Sequence, residues 1–153
     1  MEIRFAKLED EEEVLALLDK LGQELNEKSV YSIHNTEAEK IGGPIFREII
    51  ARPDTHIFLA IEKDMIVGLA TFYLIPNIRH GLHRGHVEDI IVEENMRGRG
   101  VGTNLLNAIK EFCKVNHIKT FKLDSNNKLK EAHEFYLKNG GEQTELMFRF
   151  DIE

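Results

Sequence analysis

Two periods of hydrophobic spacing run along this chain. Residues Glu2–Ala6 set Ile3 and Phe5 against Arg4, a period of two that predicts a short strand. From Glu9 to Leu25 the period lengthens. Val14, Leu15, Leu17, Leu18, Leu21 and Leu25 recur at helical spacing behind an acidic first turn, Glu9–Glu12, that suits the positive end of a helix. A loop is expected over Leu25–Tyr31, then a second helix over about Thr36–Ala51, broken or kinked at Gly42, Gly43 and Pro44. His56–Ile61 and Ile66–Leu74 are β-rich runs joined by Glu62–Met65, which reads as a hairpin. Pro76–Arg84 is expected to be a loop rich in His and Arg, with a third run over Gly85–Val92. Glycine-rich residues 98–102 lead into a helix reaching about Asn116, with Val101, Leu105, Leu106, Ile109 and Phe112 on one face. Lys119–Asp124 reads as a strand and Leu129–Lys138 as a helix stopped by Gly140 and Gly141. Leu146, Phe148 and Phe150 alternate along a final strand.

The predicted order is β-α-α-β-β-β-α-β-α-β. The early hairpin demands antiparallel pairs and the later β-α-β unit a parallel one. The expected fold class is therefore α/β (α+β), a central twisted mixed sheet with helices on both faces. A chain of 153 residues, 42% hydrophobic and 31% charged, fits one domain spanning 1–153 with a core of ordinary size.

Charge and cysteine usage narrow the setting. A formal net charge of −7 makes general nucleic-acid binding unfavourable, since phosphate contacts need a basic surface. No run approaches the roughly 20 apolar residues that span a bilayer, and the acidic start lacks an apolar signal core. The single cysteine, Cys113, allows no intrachain disulfide and is expected to be packing; a cytoplasmic setting is expected.

The stretch with most chemical content is Ile90-Ile91-Val92-Glu93-Glu94-Asn95-Met96-Arg97-Gly98-Arg99-Gly100-Val101-Gly102-Thr103. A buried strand runs into a turn, then glycine at alternate positions, then a helix. Bare amides at a helix N-terminus cradle phosphate, and Arg97 and Arg99 add positive charge beside them. The P-loop pattern is absent, and the dinucleotide pattern G-x-G-x-x-G fails where Thr103 stands. A tight turn that binds nothing is the plainer alternative.

R-G-R-G-V-G after E-D-I-I-V resembles the coenzyme A motif [QR]-x-x-G-x-[GA] of the GNAT acetyltransferase superfamily, matched by Arg97, Gly100 and Gly102. Asn126–Tyr136, read as N-x-x-x-x-x-A-h-x-F-Y, resembles the second half of that coenzyme site, and the loop Tyr73–Asn77 also fits. The likeness is specific over residues 85–140. It implies a sheet in which one pair of strands splays apart, with acetyl-CoA as cosubstrate. Backbone groups of Ile90, Ile91 and Val92 would pair with the pantetheine, and Arg97, Gly98, Arg99, Gly100, Val101, Gly102 and Thr103 would hold the pyrophosphate. Asn126, Ala132 and Phe135 would line the other side of the arm. The implied activity is acetyl transfer to a primary amine by direct attack. The alternatives are a non-catalytic acetyl-CoA-binding module and a nucleotide-binding β-α-β protein.

Acetyl transfer needs an acid for the leaving thiolate and a base for the ammonium. The resemblance points to Tyr136 as the acid, a phenol with a pKa of about 10; helical spacing alone equally allows a packed tyrosine beside Phe135. Glu88 and Asp89 are neighbours on a strand, so regular alternation places Glu88 with Ile90 and Val92, and Asp89 with Val87 and Ile91. Glu88 is taken as the base, with a structural ion pair to a nearby Arg or His as the alternative.

His80, His83 and His86 recur every third residue, a spacing that suits no common zinc motif, and no metal is expected. Arg79, His83, Arg84 and His86 are instead candidates to hold an anionic group of the substrate. Gly85–Val92 is similar to the strand of glucosamine-6-phosphate N-acetyltransferases. Met96–Gly98, Ala132–Leu137 and the Phe148–Phe150 ending are similar to aminoalkylphosphonate N-acetyltransferases. Both substrates are anionic amines. Gly140-Gly141 departs from the Gly-Phe usual after this helix. The last strand is a candidate to pair across a homodimer.

Overall fold

The computed structural model describes residues 1–27 and 38–152. Met1–Leu123 form one compact unit and Asp124–Glu153 a second. The first unit carries a five-stranded sheet in the order β1-β2-β3-β4-β5, with β1 Glu2–Phe5, β2 Thr55–Glu62, β3 Met65–Asn77, β4 Leu82–Val92 and β5 Phe121–Leu123. The first three pairings are antiparallel and β4–β5 is parallel. This is the mixed sheet expected from the element order.

Strand alternation sorts the core into two layers. Phe58, Ala60, Ala70, Phe72 and Val87 pack against Val101, Leu105, Ile109 and Cys113 of helix α4, Val101–Val115. Ile57, Leu59, Leu69 and Ile91 pack on the other face against Val14, Leu15 and Leu17 of α1, Glu11–Glu27, and Phe46 of α3, Gly43–Ala51. Burial pushes the Cys113 thiol up to about 11, as suits a packing residue.

Local signals explain the starts and stops. Before α1, the Asp10 carboxylate accepts the Lys7 N–H at 2.7 Å and a bidentate pair from Arg4, both bonds 2.7 Å. The second predicted helix is two pieces, α2 Ala38–Ile41 and α3, with Gly42 between them and Pro44 in the first turn of α3. Thr36, like most of the predicted Leu25–Tyr31 loop, lies outside the described residues; Leu25–Glu27 still belong to α1. The β2–β3 hairpin turns on Lys63 and Asp64, both at positive φ (51° and 62°).

Two expectations are corrected. Pro76–Arg84 is not one loop. β3 continues through Tyr73–Asn77, a single 3₁₀ turn covers Ile78–His80, Gly81 takes a left-handed φ of 62°, and β4 begins at Leu82. Tyr73–Asn77 is therefore strand, and His83 and Arg84 sit on one. The long antiparallel ladder supplies partners as far as Asn77 and Leu82, and it overrides the local polarity. The final strand does not form either. Residues 142–152 take no regular structure, and Leu146, Phe148 and Phe150 are 81%, 78% and 84% exposed. Alternation fixes which side chains would share a face, but a ladder partner makes a strand, and this segment has none among the described residues.

In the second unit, α5 spans Lys130–Lys138. Gly140 at φ 85° closes it, with its N–H on Leu137 and the Gly141 N–H on the Tyr136 carbonyl.

Candidate active site

The site grows from three irregularities in otherwise regular elements. The first is where β4 loses its neighbour. β5 pairs with β4 only at Gly85, His86 and Val87. Beyond Val87, β4 runs on to Val92 with β3 on one side and no ladder partner on the other among the described residues. Ile90, Ile91 and Val92 lie on this splayed stretch, which leaves backbone donors and acceptors for a ligand.

The second is the turn from β4 into α4. Gly98 and Gly100 have φ of 73° and 82°, and a Cβ at either would meet nothing within 4 Å. Gly100 caps α4, whose first turn holds no acid. Left-handed glycines thus open a concave run of main-chain amides at a helix N-terminus, which fits a diphosphate. Val101 is buried and anchors the helix end, while Gly102 and Thr103 are half-buried. Arg99 is exposed, and its guanidinium donates to the Met96 sulfur at 3.9 Å. Arg97 turns the other way. Its guanidinium pairs with Glu24 of α1 at 3.0 and 2.6 Å, and its Nε donates to the Val92 carbonyl at 3.1 Å. Lys20 of α1 pairs with Glu93 just before the loop.

The third is a β-bulge. Ala70 pairs with Ile90 and Phe72 with Val87, so Thr71 alone faces both Glu88 and Asp89. Val87 and Ile90 consequently pack into the same core layer under α4, three positions apart. This corrects the regular alternation expected for the strand. Ile90 and Val92 side with Val87, only Ile91 faces the other layer, and both acids lie opposite Val87, beside Thr71.

The two carboxylates have different surroundings. Glu88 has a side chain 62% exposed, and its carboxylate meets the His86 ring nitrogen at 3.0 Å. Asp89 is mostly covered. Its N–H donates to the Thr71 hydroxyl at 2.9 Å, and Thr71 is 3% exposed. Burial first, and the charge of Glu88 second, push the Asp89 carboxyl up to about 6, against a smaller pull from the Thr71 hydroxyl. Burial, then Asp89 and Glu88, also raise the Tyr73 phenol above its usual value. Sequence reasoning weighed Asp89 but chose Glu88, and it passed over Thr71 and the Tyr73 phenol. The available signal was one threonine inside the apolar run Leu69–Phe72 opposite adjacent acids.

Toward the hairpin, His86 pairs with Tyr73 and Arg84 with Ile75, so Arg84 and His86 share the face of the acids. His83 alternates to the other face and Arg79 lies in the 3₁₀ turn, both exposed. In the second unit, Asn126, Ala132, Phe135 and Tyr136 are half-buried, and the rings of Phe135 and Tyr136 sit 5.4 Å apart. The His133 ring meets the Asn126 carbonyl at 2.9 Å, which ties the turn to α5.

Residues 18–141 match the model of the acetyltransferase (GNAT) family. The chain belongs to the GNAT acetyltransferase family. As a GNAT enzyme it is an acyltransferase that moves an acetyl group to an amine. It is 28% identical to the aminoalkylphosphonate N-acetyltransferase of Salmonella typhimurium over 96% of this chain and 88% of that one. It is 32% identical to the glucosamine 6-phosphate N-acetyltransferase of Trypanosoma brucei brucei over 78% of this chain and 83% of that one. The GNAT fold recurs in the BH1408 protein of Bacillus halodurans, solved as a tetramutant, with a TM-score of 0.84 at 20% identity, covering 99% and 100% of the two chains. An aminoglycoside acetyltransferase from an uncultured soil metagenomic sample has a TM-score of 0.77 at 18% identity, covering 99% and 96%.

Proposed function

We propose that this GNAT enzyme takes its acetyl group from acetyl-CoA held along the β4 edge and the glycine turn, and passes it to a small amine that also carries an anionic group. The observation that carries the reading is the run of main-chain amides at 98–103, one 3₁₀ turn after the stretch of β4 that has β3 on one side only among the described residues. Main-chain N–H groups of Gly98 to Thr103 would take the diphosphate, and the edge of Ile90–Val92 the pantetheine. Arg97, engaged by Glu24 and Val92, braces this loop. The resemblance implies that Asn126, Ala132 and Phe135 would also line the coenzyme arm.

The amine nitrogen, once neutral, attacks the thioester carbonyl. Backbone donors on the splayed strand stabilise the oxyanion, and Tyr136 supplies the proton for sulfur. A carboxylate at the bulge receives the ammonium proton. Arg84 and His86, on the same sheet face, would hold the substrate anion, with Arg79 and His83 at the hairpin end. The family relationship to enzymes named for an aminophosphonate and an amino-sugar phosphate supports this acceptor class. The reading keeps a cytoplasmic setting and a homodimer as proposals; Leu146, Phe148 and Phe150 are exposed but form no strand to pair across it.

A screen of amines with acetyl-CoA, followed by release of free thiol, tests the function. Amino-sugar phosphates and aminophosphonates are expected to react, and polyamines are not. Thiol release restricted to uncharged or polycationic amines would overturn the acceptor class.

A further inference from the structure

We propose that Asp89, rather than its neighbour Glu88, accepts the proton of the attacking ammonium, with Thr71 positioning the bulge that presents it. The inference rests on the acetyl transfer read above and assigns a role that the sequence alternation had given elsewhere.

The bulge carries the argument. One extra residue in β4 turns both acids to the side of Thr71, so the strand delivers two carboxylates where a regular one delivers one. They are not equivalent. Glu88 points into water, with the His86 ring at 3.0 Å, so solvent already stabilises its charged form. Asp89 lies immediately before Ile90–Val92, on the stretch of β4 that pairs with β3 but not with β5. Its backbone is fixed by the buried Thr71 hydroxyl, and no described cation pairs with its carboxylate. The groups acting on it are Glu88 from its own strand and Thr71 from β3, with the Tyr73 phenol the other titratable neighbour. A covered, uncompensated carboxylate beside a like charge gains from taking a proton, whereas an exposed and paired one does not.

The ammonium gives one proton to Asp89. The neutral nitrogen forms the C–N bond, the C–S bond breaks, Tyr136 gives its proton to the departing thiolate, and the second proton lost by the nitrogen restores the Tyr136 phenol. The proton on Asp89 leaves to solvent, and the products are the amide and free coenzyme A.

The full-length protein, acetyl-CoA and either glucosamine 6-phosphate or 1-aminoethylphosphonate as acceptor provide the test. Asp89→Asn should lower kcat about 100-fold, within the usual range for loss of a general base, while KM for acetyl-CoA stays within about threefold. Glu88→Gln should lower kcat less than about tenfold. The wild-type kcat should rise with pH through about 6, and the Asn variant should lose that limb. A second measurement needs no acceptor. In a ¹³C carboxyl titration of the resting protein, the resonance absent from Asp89→Asn should titrate near 6. Asp89→Asn should also melt no lower than wild type at pH 8, because it removes an ion that burial disfavours. The proposal is overturned if Glu88→Gln is the more damaging change, or if the Asp89 resonance titrates with the ordinary carboxylates. If neither acceptor releases thiol, the acceptor class falls and the titration still decides Asp89.

Discussion

Gly100→Ala separates the folding role of the glycine turn from its binding role. The residue sits at φ 82°, where an L side chain costs about 1–2 kcal/mol. A Cβ there meets no atom within 4 Å, so no clash adds to the strain. The melting temperature should fall by only about 2–8 °C, since a domain of this size loses roughly 2–4 °C per kcal/mol. Binding should fall further. The added methyl projects into the space offered to the diphosphate and pushes it off at least one amide. A hydrogen bond to a charged group contributes about 1.5–3 kcal/mol, so affinity for coenzyme A should drop about 10- to 100-fold. Gly81→Ala is the control, with φ 62° and the same empty surroundings but no cradle. Calorimetric titration with coenzyme A and thermal melts of the three proteins decide the matter. Gly100→Ala binding within threefold of wild type, with the expected loss of melting temperature, would refute the diphosphate cradle.

Three further outcomes are expected. Tyr136→Phe should lower kcat by about 10²-fold with little change in KM for acetyl-CoA, and a parallel loss of both, measured by steady-state kinetics, would argue for a packing role. Arg4 holds the Asp10 carboxyl below its usual range, so its contribution is present above the unfolded pKa of about 4 and is lost as pH falls below it. Asp10→Asn should therefore destabilise by about 2 kcal/mol at pH 7 and flatten the acid side of a denaturant-derived stability profile; an unchanged acid limb would count against the pair. At Gly85 a Cβ would lie 2.5 Å from the Phe72 ring and 2.7 Å from Phe121. Gly85→Ala should cost about 1–3 kcal/mol by urea unfolding, and a neutral effect would mean the strands part more easily than their packing indicates.

Much of the architecture was legible because burial imposes periodicity. The α4 positions Val101, Leu105 and Ile109 and the β2–β3 hairpin follow directly from spacing. The glycine turn after β4 was legible because glycine at 98 and 100 meets a backbone requirement, not a packing one. What escaped depended on partners distant in sequence. Pro76–Arg84 reads as a loop in isolation, yet pairing extends through Pro76 and His83. The bulge at Glu88-Asp89 is set by its register against Thr71, which no local pattern encodes. Leu146–Phe150 shows the converse, a strand pattern without a ladder.

Two ion pairs between residues distant in sequence, Lys20–Glu93 and Arg97–Glu24, fasten the second half of α1 to the glycine turn and its approach. Both are partly open to water, and exposed pairs weaken as ionic strength rises. Added salt therefore acts twice on this acidic protein. It shields the polyanionic coenzyme from the protein's own negative field, which favours encounter, and it slackens the brace that shapes the receiving loop, which opposes retention. Apparent affinity should then pass through an optimum in salt concentration instead of declining steadily.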